Sequence, residues 1–244
     1  MRQMLTAIIL AVAVAGVSRA ATFPGSISRE PLVRGTVSER LSIGLGYDRI
    51  KRGINFDSGG TAVGEADSIS AYVGYNVRPW LTSFVTVGGT NLRGADSSDY
   101  GVRLSAGLHA YLWEADVLTP SFAAGRISIK GSAEVASHQT DSTAGKTEWI
   151  EMIAALPIGY EFFDRYPRTK SGLSTSLALY VGPAVSMLDG DLAVAPGLRR
   201  SFSEDQLFGF VAGADVYFAP SVSLGFKALV FDETSTGVTL RFQF

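Results

Sequence analysis

Cysteine is absent from all 244 residues, which excludes disulfides, thiolate metal sites and cysteine nucleophiles. Long apolar runs are missing as well. Past the first twenty residues nothing approaches the ~18 unbroken apolar positions a membrane helix requires, although 46% of the chain is hydrophobic. A strong charge of either sign is lacking too, so there is no electrostatic footprint for nucleic acid. No glycine-rich phosphate loop, metal-ligand spacing or calcium-type acidic run occurs, and Asp189-Gly190-Asp191 is too short to be one. No cofactor and no metal are therefore expected.

What is there begins with MRQMLTAIILAVAVAGVSRA, in which Arg2 precedes an apolar run from Leu5 to Val17 and Ser18 and Ala20 flank Arg19. That order is the one of a secretory signal peptide over residues 1–20, with cleavage expected after Ala20. Removing it lowers the basic residues from 21 to 19 against 23 acidic ones, a net charge of −4. Residues 21–38 read as a flexible periplasmic leader and residues 39–244 as one further domain. A secreted chain without disulfides needs another source of stability, such as a large core or a closed barrel.

From Glu39 onward short alternating runs are separated by clusters of Gly, Asp, Ser, Asn and Pro, a period of two that predicts strands. Leu41, Ile43, Leu45 and Tyr47 oppose Ser42, Gly44, Gly46 and Asp48, and Ile69 to Val77 repeat the pattern. Further runs cover 81–91, 102–113, about 118–136, 147–163, 173–188, 205–218, 221–232 and 237–244, ten in all. The links 53–66, 92–99, 137–146, 189–204 and 233–236 are mostly long and polar, whereas 78–79, 114–117, 164–172 and 219–220 are mostly shorter. Long loops on one side and tight turns on the other suit a bacterial outer-membrane barrel with both ends on the turn side.

The non-apolar face is rich in Gly, Ser and Thr and carries isolated charges: Asp48, Arg103, Glu151, Glu161, Asp215, Lys227 and Arg241. Such a face fits a narrow polar lumen, structural or pore-lining, better than a solvated surface. Expected lumen pairs are Asp215 with Lys227, and Arg241 with Asp48 or Glu39. Two aromatic bands are expected at the headgroup levels. Trp80, Trp113, Phe162, Phe163, Tyr166, Tyr217, Phe218, Phe242 and Phe244 form the one on the turn side. Tyr47, Tyr100, Trp149, Phe208, Phe210 and Phe231 form the one on the loop side. Lipid cannot satisfy a free strand edge, so the last strand must pair with the first. The fold expected is all-β, a closed antiparallel transmembrane β-barrel of about ten strands, or eight with an extracellular hairpin. Pro157 and Pro183 fall inside strands, where a bulge at each is expected.

With its signal peptide, repeated strand and turn pattern and the ending Val238, Leu240, Phe242, Phe244, the chain resembles the small bacterial outer-membrane β-barrel proteins of the OmpA/OmpX-like, porin-like superfamily. The resemblance implies localisation in the outer membrane, contact with its lipid, and recognition of Phe242 and Phe244 by the barrel-assembly machinery. It points to no extracellular loop partner.

Candidate catalytic groups are two histidines. His109 projects into the lumen near the turn side, the wrong end for an omptin-like protease, and His138 lies in a polar loop near Asp141. A lipid A deacylase-like enzyme needs a histidine beside a serine; His138 follows Ser137, but neighbours in a strand point oppositely. No catalytic residue is assigned. The reading is a structural, adhesive or ligand-contacting surface barrel acting through its loops, the alternatives being a narrow pore for ions or small solutes and a lipid A-modifying enzyme.

Overall fold

A computed structural model describes residues 40–93, 100–117, 125–142, 145–162, 176–195, 197–219 and 221–244. The expected signal peptide, the leader, Glu39, Phe163 and Tyr166 lie outside the described residues.

Twelve strands are present: β1 (Leu41–Phe56), β2 (Thr61–Arg78), β3 (Leu81–Arg93), β4 (Gly101–Val117), β5 (Gly125–Ser142), β6 (Gly145–Ala155), β7 (Ile158–Phe162), β8 (Ser176–Ala195), β9 (Leu198–Glu204), β10 (Phe208–Ala219), β11 (Val222–Val230) and β12 (Thr234–Gln243). Eleven of them build ten staves, because β6 and β7 are one stave interrupted at Leu156-Pro157. All pairings are antiparallel, β8 continues directly to β10, and β12 returns to β1 from Ser42↔Gln243 to Arg49↔Thr236. The ring is closed with ten staves, as the alternation predicts, and the eight-strand alternative does not occur. Closure pairs both edges of every stave, which is what lipid surroundings demand.

The outward face is apolar over the span lipid would cover. Ile43, Leu45, Ile69, Val85, Val87, Leu104, Ile158, Val181 and Phe210 are exposed, while Ser42, Tyr72, Phe84, Arg103, Ser105 and Glu161, one residue out of phase, are buried. An exposed apolar belt around a polar interior is the inverse of a soluble barrel, so the chain crosses a membrane with its strands. Towards the loop side the belt ends in charge. The Tyr47 hydroxyl donates to Asp67 at 2.8 Å, Arg93 pairs with Asp67, and Arg49 and Lys51 reach Glu65 at 3.1 and 2.7 Å. Outward charges of both signs exclude hydrocarbon, which places the remainder of β1 and β2 beyond the lipid.

That remainder is where the structure departs from the sequence reading. A spanning strand needs ~9–11 residues, yet β1 has 16, β2 18, β5 18 and β8 20. The segments 53–66, 137–146 and 189–204, expected as loops, are largely paired strand: β1 runs into β2 through a turn carrying Gly59 and Gly60 at φ 88° and 101°, and β8 turns into β9 at Gly197, φ 78°. Short β9 lies above the ends of β10–β12 and pairs with β8 on one side and with β1 on the other, through Ile54↔Glu204, Asn55↔Ser203 and Phe56↔Phe202. The molecule therefore has two storeys, a ten-stave barrel and a narrower walled cup above it.

Several side chains sit elsewhere than expected. Neither Pro157 nor Pro183 makes a bulge: the β5 and β8 registers run unshifted past Pro157, and Pro183 stays in register with Phe210. Each proline forgoes a ladder donor while its carbonyl still accepts, from Lys130 at 2.9 Å and from Leu156 at 3.0 Å. Trp113 does face outward, 51% exposed, as its place in the turn-side band requires, but it does so through a bulge in β4 between Tyr111 and Trp113, since strict alternation would put it inside. Trp149 and Phe231, expected in the outer aromatic band, are instead buried in the interior. Tyr217, expected in the turn-side band, lines the lumen.

Candidate functional site

The inward residues of the upper storey are apolar where those of the lower storey are polar. Ile50, Ile54, Ala66, Trp149, Leu188 and Phe202 form one buried cluster, with Phe56, Leu92 and Leu192 packed against it. They line a cavity of about 660 Å³ open towards the loop side. Phe202 from β9 meets Phe56 from β1 edge to face, ring centroids 6.4 Å apart, so the wall that β9 adds is sealed by an aromatic contact. Phase accounts for the composition: the residues share the parity of Asp48, Glu151 and Ser186, so their strands carry them inward whatever their polarity.

The floor of the cup is charged. Arg52, only 1% exposed, sends its guanidinium to Glu151 of β6 and to Glu204 of β9, both at 3.2 Å, and to the Ser235 hydroxyl of β12. Its Cζ stands 4.6 Å from the centre of the Phe231 ring. One cation thereby ties four parts of the wall together. Glu204 lies above the lipid and is buried, and burial pushes its carboxyl up to about 7, against the pull of Ser186 and Arg52.

Beside this floor lies His138, in β5 and 1% exposed, which overturns its placement in a solvated loop. Its ring stacks on Trp149 at 4.6 Å and 7°, with Nε2 3.8 Å from Glu151. Ser137 and Asp141, its prospective partners in an enzyme, are exposed on the opposite face of the strand. His109 stacks on Phe84 at 4.6 Å in the lower storey.

Below the floor comes a second charged layer. Arg103 reaches Asp48 at 2.9 Å and Glu134 at 3.1 Å and donates to the Ser68 hydroxyl; Lys227 stands 3.8 Å from Asp48. Deeper still is a polar chamber of about 280 Å³ lined by Lys130, Asp215 and Arg241 among others.

The seven lumen charges read from the sequence thus separate. Asp48, Arg103 and Lys227 meet in one network, and Glu151 belongs to the Arg52 cluster. Glu161 accepts from Ser176 at 3.0 Å near the turn side, and Asp215 and Arg241 face the chamber. The expected pairs are replaced. Lys227 engages Asp48 and not Asp215, and Arg241 lies over the Tyr72 ring at 5.0 Å while Asp48 is held by Arg103. Phe242 and Phe244 face outward, 38% and 58% exposed, with the Phe244 amide donating to Leu41 at 3.1 Å. Sequence reasoning missed Arg52, Glu134 and Glu204, although the parity of Asp48 already placed Arg52 inside.

No protein-family model matches the chain, and no curated protein matches it. Among solved structures it is similar to the outer-membrane protease OmpT from Escherichia coli, with 10% identity over 85% of this chain and 97% of that one, at a TM-score of 0.39. The translocator domain of the autotransporter NalP from Neisseria meningitidis gives 12% identity, 87% and 90% coverage and a TM-score of 0.31. The Acinetobacter baumannii outer-membrane protein Omp33 gives 12%, 86%, 100% and 0.25. Likeness at this level carries nothing about activity; the chain is an outer-membrane type β-barrel on the strength of its own closed ring and apolar belt.

Proposed function

We propose that the protein is a non-conducting barrel of the bacterial outer membrane that captures a small apolar molecule, or the apolar part of a larger one, in the cup on its outer face. The observation that carries this reading is the cup itself. Its ~660 Å³ falls within the range typical of small-molecule sites, ~300–1,000 Å³, and its lining is mainly apolar, with Ile, Leu, Trp and Phe side chains beside Arg52, Glu65, Arg93, Ser142 and Thr147, where a solvated vestibule would be mainly polar. Apolar surface left open to water is costly and gains free energy on being covered. The two charged layers under the cup, around Arg52 and Arg103, stand between it and the lower lumen, which favours capture over passage.

Trp149 in the cup wall supplies the test. Titrating the detergent-folded barrel with a bromoalkane should quench its fluorescence saturably, and Ala66→Phe, which fills the cup from β2, should abolish the saturable part. Quenching that rises linearly with bromoalkane, or that survives Ala66→Phe, refutes the cup as a receptor. Steady unitary conductance in a planar bilayer would refute the non-conducting lumen separately.

A further inference from the structure

The lining of the cup carries three charged side chains, and each already faces its opposite. Arg52 at the floor lies between Glu151 and Glu204, both at 3.2 Å. Glu65 receives Arg49 at 3.1 Å and Lys51 at 2.7 Å, and Arg93, half exposed at the rim, pairs with Asp67. With these partners counted, four basic groups stand against four carboxyl groups. A charged head group entering the cup would find no free counter-ion, and an enclosed charge without one is costly.

What the wall leaves free is a donor. Thr147 of β6 lines the cup, 2% exposed, and its hydroxyl oxygen accepts from the Ala193 amide of β8 at 3.2 Å. A hydroxyl also has a proton of its own to give, and among the described residues no acceptor takes it. The indole N–H of Trp149, two residues along the same face of β6, has no acceptor among them either. Ser142 differs, because it donates its proton to the Gly145 carbonyl at 3.1 Å. A donor enclosed without an acceptor is costly, and a ligand oxygen that accepts from it removes the cost. We infer that the cup takes an uncharged amphiphile with a carbonyl oxygen, such as a medium-chain ketone, aldehyde or ester, and holds that oxygen on the Thr147 hydroxyl; this rests on the cup being the receptor proposed above. The orientation follows from the strand. Thr147 stands two residues below the start of β6, while Trp149 and Leu188 lie deeper, so the oxygen sits near the mouth and the alkyl chain runs towards the floor.

2-Octanone is the probe, competing with 1-bromooctane for the detergent-folded full-length barrel near neutral pH. Saturable quenching of Trp149 by the bromoalkane reports first whether the cup is a receptor at all, so a failure of that reading shows before any ketone is added. Once quenching saturates, 2-octanone should displace the quencher. Thr147→Val should weaken the ketone roughly three- to tenfold, the worth of one hydrogen bond, and leave 1-bromooctane unchanged. Thr147→Ser keeps the hydroxyl and should bind the ketone as the unaltered protein does. Octanoate and octylammonium should each compete at least tenfold more weakly than 2-octanone, a comparison made on the unaltered protein and so independent of how the variants fold. Ketone affinity that survives Thr147→Val, or that is lost equally in Thr147→Ser, overturns the role of the hydroxyl. Either ion competing as well as the ketone overturns the uncharged class.

Discussion

Replacing Arg52 with methionine would leave the carboxylates of Glu151 and Glu204 buried without the cation that lies between them, 3.2 Å from each. Removing one partner of a buried ion pair costs about 3–5 kcal/mol, because the remaining charge keeps its desolvation penalty. Arg52→Met should lower the stability of the barrel by that amount in urea titrations, and Arg52→Met with Glu151→Gln should recover part of it. A loss below about 1 kcal/mol, the value of an exposed pair, would mean that water reaches the cluster. The residue was legible in part. Arg52 lies four positions after Asp48 and therefore on the same face, but its partner Glu204 comes from a segment that reads as loop. Trp149 was equally open to parity, being one residue from outward Ile150 and two from inward Glu151. Trp113 was not, since nothing in its neighbourhood announces the bulge that turns it out.

Strand β9 shows why the alternation gave the ring but not the cup. Its seven residues, Leu198 to Glu204, hold the polar and basic run Arg199, Arg200, Ser201, and only Phe202 and Glu204 point inward to be buried. One edge is satisfied by β8 through the hairpin at Gly197, but the other is satisfied by β1, where Ile54 and Glu204 are remote in sequence, so that second pairing is a tertiary fact with no local signature. The burial of Glu204 makes its docking sensitive to pH. Burial raises the Glu204 carboxyl from the ordinary 4.5 to about 7, with Glu151 and Asp232 adding to the rise and Ser186 and Arg52 opposing it. A docked strand thus retains a proton between these values that an undocked one has lost, so docking weakens as pH rises from about 4.5 to about 7 and is level above. Amide exchange of β9, corrected for its intrinsic pH dependence, should accelerate across that window, and Glu204→Gln should make it flat. Faster exchange at acid pH would reverse the sign and with it the protonated state assigned to the docked carboxyl.

At the scale of the whole molecule the two storeys are held by different physics, and they can be separated. The lower one is closed by β12 on β1 and meets lipid with an apolar belt, so backbone pairing that water cannot replace sustains it. Among the described residues the upper one is closed by β9, an aromatic contact between Phe56 and Phe202 and the Arg52 cluster. The register between β8 and β10 sets Phe208 opposite Val185, with the Leu207 carbonyl accepting from Ser186 at 2.8 Å, and extended upward in a shortened chain it would bring Leu188 opposite Asp205. Two residues can close a hairpin there, and Asn-Gly is the pair whose left-handed conformations match the twist of the strands. Exchanging residues 189–204 for Asn-Gly removes β9 and the top of β8 while leaving Arg52 paired with Glu151. The shortened chain should still insert and migrate as a heat-modifiable barrel, because no pairing below the cut is lost. Its Trp149 should lose saturable quenching by bromoalkane, because one wall of the cup is gone. A shortened chain that no longer forms the barrel would show that the cup is part of the fold's stability rather than a receptor built on top of it.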